Sequence, residues 1–299
     1  MQNISMNKLP IATRIQILNA LVEGCSLRST SRMAGVSINT VTKLLVDAGK
    51  ACADYQHRTM RNLTCKRLQL DEIWAFVYAK EKNVPAEMKG QGPGSVWTWV
   101  AIDAETKLIP SYLVGDRDGE HAKLFVDDIA ARINGRIQIT TDGLKAYVEA
   151  IDLAFGTMVD YAVLHKVYGP GGLSETRQEA RYSPATCIGC EKHVKTGNPD
   201  ENHINTSFVE RQNLTMRMRM RRFTRLTNAF SKKIENHEHA VALHFFHYNF
   251  VRRHLTLRMS PALKAGVTDH MWTMEEMVAM IDRHEAETKK QKNAQETDE

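Results

Sequence analysis

LQLDEIWAFVY, residues 68–78, is the stretch on which the fold turns. Its apolar and aromatic residues form a run of strand character, bounded by polar chain, and Asp71 stands inside it. Along a strand Glu72 is expected to point to the face opposite Asp71. Working outward, a second strand-like run ends in an acid: IQITTDGLKAY, residues 137–147, closes on Asp142. A third acid, Glu210, opens a helical pattern in NTSFVERQNL, residues 205–214. An acid in or just beyond an apolar strand is costly to desolvate unless a positive charge answers it. A divalent cation, which takes oxygen ligands, is the strongest local answer.

Each acid alone has an ordinary explanation. Asp142-Gly143 suits a turn and helix cap, Asp71 suits the wet face of a one-sided strand, and Glu210 suits a surface pair with Arg211. Taken together, the three point to a common site. Two metals held by a few carboxylates can activate a water and steady the leaving oxygen in phosphodiester cleavage.

The charge pattern agrees with a polyanionic partner. Of 299 residues, 40 are Lys or Arg and 35 Asp or Glu, a net +5. Residues 1–69 carry 10 − 3 = +7, residues 70–210 carry 14 − 21 = −7, residues 211–260 carry 11 − 2 = +9, and residues 261–299 carry 5 − 9 = −4. Basic blocks favour nucleic acid, whereas an acidic pocket repels phosphate until cations fill it. No apolar run is long enough to cross a bilayer, and the first ten residues lack the apolar segment of a signal peptide. With five cysteines, an odd count, reduced thiols in a cytoplasm are expected.

The chain opens with three expected helices: 9–21, 27–34, and one from Ile38 that Gly49 stops. Gly35 at the turn and Ser37 as N-cap fit a helix-turn-helix. Its second helix would expose Asn39, Thr40, Thr42 and Lys43, with Ser37 at its start, to a DNA major groove. Residues 51–67 read as a basic linker. Strands then follow in LQLDEIWAFVY, SVWTWVAID and KLIPSYLVG. A helix over 120–133, strand RIQITT, a helix over 143–153 and a short strand at 161–167 complete a mixed α/β order. Residues 169–203 read as a loop insertion. From Ile204 the pattern is helical, with a C-terminal helix at 266–284 and an unstructured tail at 285–299. MRMRMRRFTR places Arg217, Arg219, Arg221, Arg222 and Arg225 almost all round a helix, which suits phosphate contact. Histidines 237, 239, 244, 247 and 254 on an apolar helix are read as packing. Cys187-x-x-Cys190 is a weak zinc signal, since a lone CxxC in a loop is not specific.

QLDEIWAFV, WTWVAID, TTDGLKAY, FVERQNLTMRMRMRRFTRLTNAFSK and HYNFVRRHLTLRMSPA, in that order, resemble the DDE transposases of bacterial insertion sequences, specifically the insertion-sequence-one group. The resemblance spans roughly residues 68–265. It implies a ribonuclease-H-like catalytic domain, a mixed sheet flanked by helices, over 68–265, preceded by a small all-α helix-turn-helix domain over 1–50. It further implies metal-dependent cleavage at element ends and transfer of the 3′-hydroxyl strand into target DNA. Asp71, Asp142 and Glu210 would be the catalytic acids and ligands of two Mg²⁺ ions, with Mn²⁺ able to substitute. Asn213 and Arg217, one and two turns beyond Glu210, are candidates for DNA-backbone contact. The implied partners are double-stranded DNA (terminal inverted repeats and target) and further copies of the chain, as a homodimer or larger, working at the bacterial nucleoid. Relatives often carry a four-cysteine zinc motif ahead of the helix-turn-helix, and this N-terminus has none. A DNA-binding regulator without catalysis and a nuclease without joining activity are the alternative readings.

Overall fold

A computed structural model of the chain describes residues 8–169, 187–224 and 227–297. It divides into two units, one of residues 1–61, 74–97 and 213–299, the other of residues 62–73 and 98–212.

The second unit carries most of the sheet. The sheet's six strands are β1 (Arg67–Val77), β2 (Gly94–Asp103), β3 (Tyr112–Gly115), β4 (Ile137–Thr141), β5 (Val159–Tyr168) and β6 (Cys187–Thr196), in the order β3-β2-β1-β4-β5-β6. The backbone of Ala104, just past β2, donates to the carbonyl of Arg67 at the start of β1, so these two neighbours run antiparallel. β1 pairs parallel with β4, and β4 parallel with β5. Helix α4 (Gly119–Ala130) leads into β4, α5 (Ala146–Phe155) joins β4 to β5, and the two helices pack together. This is the ribonuclease-H-like arrangement the resemblance implied.

Strand content follows composition where it was expected. β4 is buried along its whole length and β2 over most of it, as suits strands covered on both faces. Trp99 lies fully buried, its ring 5.4 Å from that of Tyr147 and 6.0 Å from that of Phe125. β6 differs from expectation, since the sequence places residues 187–196 in a loop. Its sequence, CIGCEKHVKT, has no apolar alternation, and nearly every residue is exposed. It is an edge strand paired antiparallel with β5 alone, and its Glu and Lys side chains suit an edge.

The first unit is largely helical. Its N-terminal part holds α1 (Ile11–Val22), α2 (Leu27–Ala34) and α3 (Ile38–Thr59). Ser26 caps α2 by accepting from the backbone of Ser29, Gly35 leaves it with φ at 65°, and Ser37 caps α3 by accepting from Thr40. The expected stop at Gly49 is a correction: α3 continues ten residues further, through part of the segment read as a linker. Gly49 is a packing glycine, since a Cβ there would come within 2.4 Å of the His239 Cβ.

The C-terminal part of this unit holds α7 (Ile234–Phe246), α8 (Pro261–Lys264) and α9 (Met274–Thr297). Helix α3 packs against both α7 and α9. His237 and His244 are buried on α7, as the packing reading expected. Helix α9 runs through most of the supposed tail. Residues 285–297 are polar but rich in Ala, Glu, Lys and Gln, which extend a helix well. Its inner end is tied to α1 by Asp282, which accepts from Arg14 at 2.5 and 3.0 Å. Among the described residues, no helix is long and apolar enough to cross a membrane.

Candidate functional site

The central strands of the sheet bring acids together. Asp71 lies within β1, and Asp142 is the first residue past β4, the strand that pairs with β1. Asp71, Glu72 and Asp142 each bring a carboxylate oxygen within 4.8 Å of the other two. Glu72 was expected on the opposite face, and this is a correction. Its carboxylate is buried and held by two groups distant in sequence. Arg117 donates from Nε at 2.6 Å and the Tyr147 hydroxyl at 3.1 Å. The signal that could have found it is its charge, since Glu72 is a second acid in a run otherwise suited to burial.

The electrostatics follow from this crowding. Burial, then repulsion by Glu72 and Asp142, raises the Asp71 carboxyl to about 7, against a hydrogen bond from the Glu72 backbone. Glu72 is also raised, first by burial and then by Asp142, with Arg117 pulling the other way. Three carboxylates in one small volume, with the Asp71 carboxyl raised to about 7, form a hard donor set for a divalent cation.

Glu210 lies on α6 (Ser207–Arg219) and does not join that group of three. Its carboxylate accepts from Lys166 of β5 and from the Thr206 hydroxyl. It is near enough for its charge to act on Asp71. What sets α6 against the sheet is Gln69, two residues before Asp71, which the sequence reading passed over. Its Oε1 accepts from the backbone of Phe208 at 2.8 Å and of Val209 at 3.2 Å, and its amide donates to Asn205 at 2.7 Å. A helix leaves its first backbone N–H groups unsatisfied, and here a buried strand side chain takes two of them. The first turn of α6 is thereby registered on β1, and Glu210 follows within that turn.

His165 of β5 rests on Gly143, where a Cβ would meet its ring at 2.7 Å. The glycine after Asp142 is therefore needed for close approach. A second carboxylate group, Asp116, Asp118 and His121, also gathers within 4.8 Å. Asp118 caps α4 through the His121 backbone and pairs with the His121 ring at 2.8 Å.

The basic candidates divide. Asn213 is buried, at 4% exposed. Arg217 and Arg221 are exposed. Arg219 pairs with Glu23 at 2.5 Å, and Arg222 is half-buried and donates to Ser231 at 2.7 Å. Arg225 lies outside the described residues. On α3, Ser37, Asn39 and Lys43 are exposed while Thr40 and Thr42 are half-buried. Thr42 donates to the Ile38 carbonyl at 2.9 Å, and Lys43 reaches Asp47 at 2.5 Å. Cys187 and Cys190 are exposed on β6. Among the described residues no third His, Cys, Asp or Glu gathers with them as a metal ligand.

The sheet thus collects carboxylates at its paired central strands, with the acid-bearing helix α6 beside them. Residues 188–251 match the model of the family described as IS1 transposase. The motif resemblance and this match name the same family. The matched segment holds Glu210 and the arginine-rich stretch but neither Asp71 nor Asp142.

None of the curated proteins matches the chain by sequence. Among solved structures, a piggyBac transposase synaptic complex with hairpin DNA is similar at 10% identity, over 94% of this chain and 72% of that one, with a TM-score of 0.40. A Mos1 transposase paired-end complex with left transposon end is similar at 13% identity, over 54% and 61%, with a TM-score of 0.23. A Mos1 mariner paired-end complex with Mn gives 12% identity, 53% and 60%, and 0.21. The chain thus spans about six tenths of the Mos1 chains. At such scores these likenesses assign no residue.

Proposed function

We propose that the chain is a DDE transposase that cleaves DNA at the ends of its element and transfers the 3′-hydroxyl strand to target DNA. The observation that carries this reading is the convergence of Asp71, Glu72 and Asp142 on paired strands, with Glu210 set beside them by Gln69. Asp71, Asp142 and Glu210 are the proposed catalytic acids. They would hold Mg²⁺, or Mn²⁺ in its place, and the residues fit such an ion. The donors are all hard oxygens, and their mutual repulsion is what a cation relieves. When bound, the metal would lower the pKa of a water and steady the leaving oxygen.

The chain's own residues do the rest. Arg117 and Tyr147 hold Glu72 so that its charge is answered on one side. Lys166 holds Glu210 and must yield it for the third acid to reach a ligand on the sheet. We further propose that residues 1–50 act as a helix-turn-helix, with the start of α3 read into a major groove. Exposed Arg217 and Arg221 are proposed phosphate contacts. Joining two ends implies at least two copies of the chain on DNA, acting at the nucleoid of a bacterial cell.

The experiment compares wild type with Asp142→Asn on labelled DNA carrying the element's terminal repeats, in Mg²⁺ and in EDTA. Nicking and joined product in Mg²⁺ alone, both absent from the variant while it still binds the ends, are expected. Cleavage retained by the variant would remove Asp142 from the reaction. Nicking without joining would indicate a nuclease, and binding without cleavage a regulator.

A further inference from the structure

In a regular strand, residues three apart point to opposite faces. On β6 they do not. The β5–β6 register pairs Lys166 with Cys190 and Val167 with Gly189, then pairs Tyr168 with Cys187, so Ile188 is an extra residue. Such a bulge opposes two residues to one. Positions 166 and 168 of β5 share a face, so the bulge turns Cys187 and Cys190 to that same face. The Cys187 thiol donates to the Gly189 carbonyl at 3.3 Å, which folds it back over the turn toward Cys190. Cys190 keeps its proton above the usual thiol range, through local desolvation and then its hydrogen bond to Cys187. Both thiols are exposed, whereas Cys52 and Cys65 are buried.

We propose that Cys187 and Cys190 are a covalent modification site, closed as an intramolecular disulfide by a low-molecular-weight disulfide of the glutathione class. The Cys187 sulfur attacks the reagent, breaking its S–S bond and releasing one reagent thiol. The Cys190 sulfur then displaces the second, so Sγ–Sγ forms and both protein protons leave with the two reagent thiols. Cys190 sits across the strand pair from Lys166, the residue that holds Glu210. Closure stiffens β6 opposite Lys166 and keeps that lysine on Glu210, slowing cleavage. This last consequence rests on Glu210 being an acid of the proposed site, but formation of the bond does not.

The test equilibrates the full chain in oxidised and reduced glutathione, blocks free thiols, and reads the tryptic peptide of residues 182–192, which contains both cysteines. In oxidised buffer the peptide is expected to be lighter by two hydrogen atoms, with dithiothreitol restoring it. Cys190→Ser and Cys187→Ser should each carry a glutathione adduct instead. A peptide that stays reduced, a crosslink between two chains, or thiols protected by zinc that survives dialysis overturns the proposal. The closed form is expected to cleave DNA several-fold more slowly than the reduced form, and the double serine variant to ignore the buffer. Equal rates for closed and open wild type would overturn the link to Glu210. A chain with no cleavage in either state would count against the proposed function, while the peptide still decides the disulfide.

Discussion

Asp71 carries a pH signature with a definite sign. Its carboxyl is raised from 3.8 to about 7 in the folded chain, so between those values the native state binds more protons than the unfolded one. Its contribution to stability is therefore full below the unfolded value and is lost as pH rises toward 7. At about 1.36 kcal/mol per pKa unit, the loss is bounded at roughly 4 kcal/mol. Asp71→Asn removes this titration. In EDTA, urea unfolding from pH 4 to 7.5 should find wild type losing ground steadily to the variant. Mg²⁺ at neutral pH should narrow the gap, because a cation takes the place of the proton. Parallel stability profiles would mean that Asp71 is not desolvated among like charges. Asp71 and Asp142 were legible in the sequence because an acid interrupts or ends an apolar run. Glu72 was misread, because strand alternation says nothing of partners 45 and 75 residues away.

Among the elements, a helix start and a helix middle each depend on one residue. At the start of α6, Gln69 accepts from two backbone donors, of which that of Val209 is buried and that of Phe208 part-buried. Gln69→Leu leaves them unanswered, at a cost of about 1–3 kcal/mol. Unfolding midpoints should fall accordingly, and cleavage should fall further than DNA affinity as α6 loses its register. Gln69→Glu keeps an acceptor and should recover part of both losses; equal failure of the two variants would sink the capping account.

In the middle of α3, Gly49→Ala sets two effects against each other. Helix propensity favours alanine by up to about 1 kcal/mol. The new Cβ would lie 2.6 Å from the His239 Cα and 2.7 Å from its carbonyl oxygen, atoms of backbone that cannot swing away. Overpacking of this kind costs about 1–3 kcal/mol, so destabilisation should win in urea titrations. A variant as stable as wild type would show that α7 shifts freely along α3. The sequence made Gly49 look like a stop because glycine so often ends a helix, and only the approaching α7 reveals the other use. β6 was hidden for a related reason, since an exposed edge strand needs no apolar alternation to form.

Across the whole molecule, the charge pattern sorts by unit rather than by position along the chain. Residues 1–61, 74–97 and 213–299 carry 26 basic and 16 acidic residues, net 26 − 16 = +10, and residues 62–73 and 98–212 carry 14 − 19 = −5. The two basic blocks seen in the sequence thus fall in one unit, and the carboxylates of the candidate site in the other. That pooling was not legible, because the blocks are separated by the whole strand-rich segment. Within the basic unit some charge is already answered: Arg219 by Glu23, and Arg14 and Lys8 by Asp282. Arg217 and Arg221 are exposed, so DNA binding should depend on which arginines are mutated, not on how many. Each phosphate contact contributes about 0.9 to the slope of log affinity against log salt. Arg217→Gln with Arg221→Gln should lower that slope by about 2, measured by anisotropy on labelled duplex over a KCl series. Arg219→Gln with Arg222→Gln removes the same formal charge but takes it from ion-paired or half-buried positions. It should leave the slope nearly intact and reduce stability instead. If the two double variants change the slope equally, the basic unit attracts DNA through its net charge and not through contacts made at the exposed arginines.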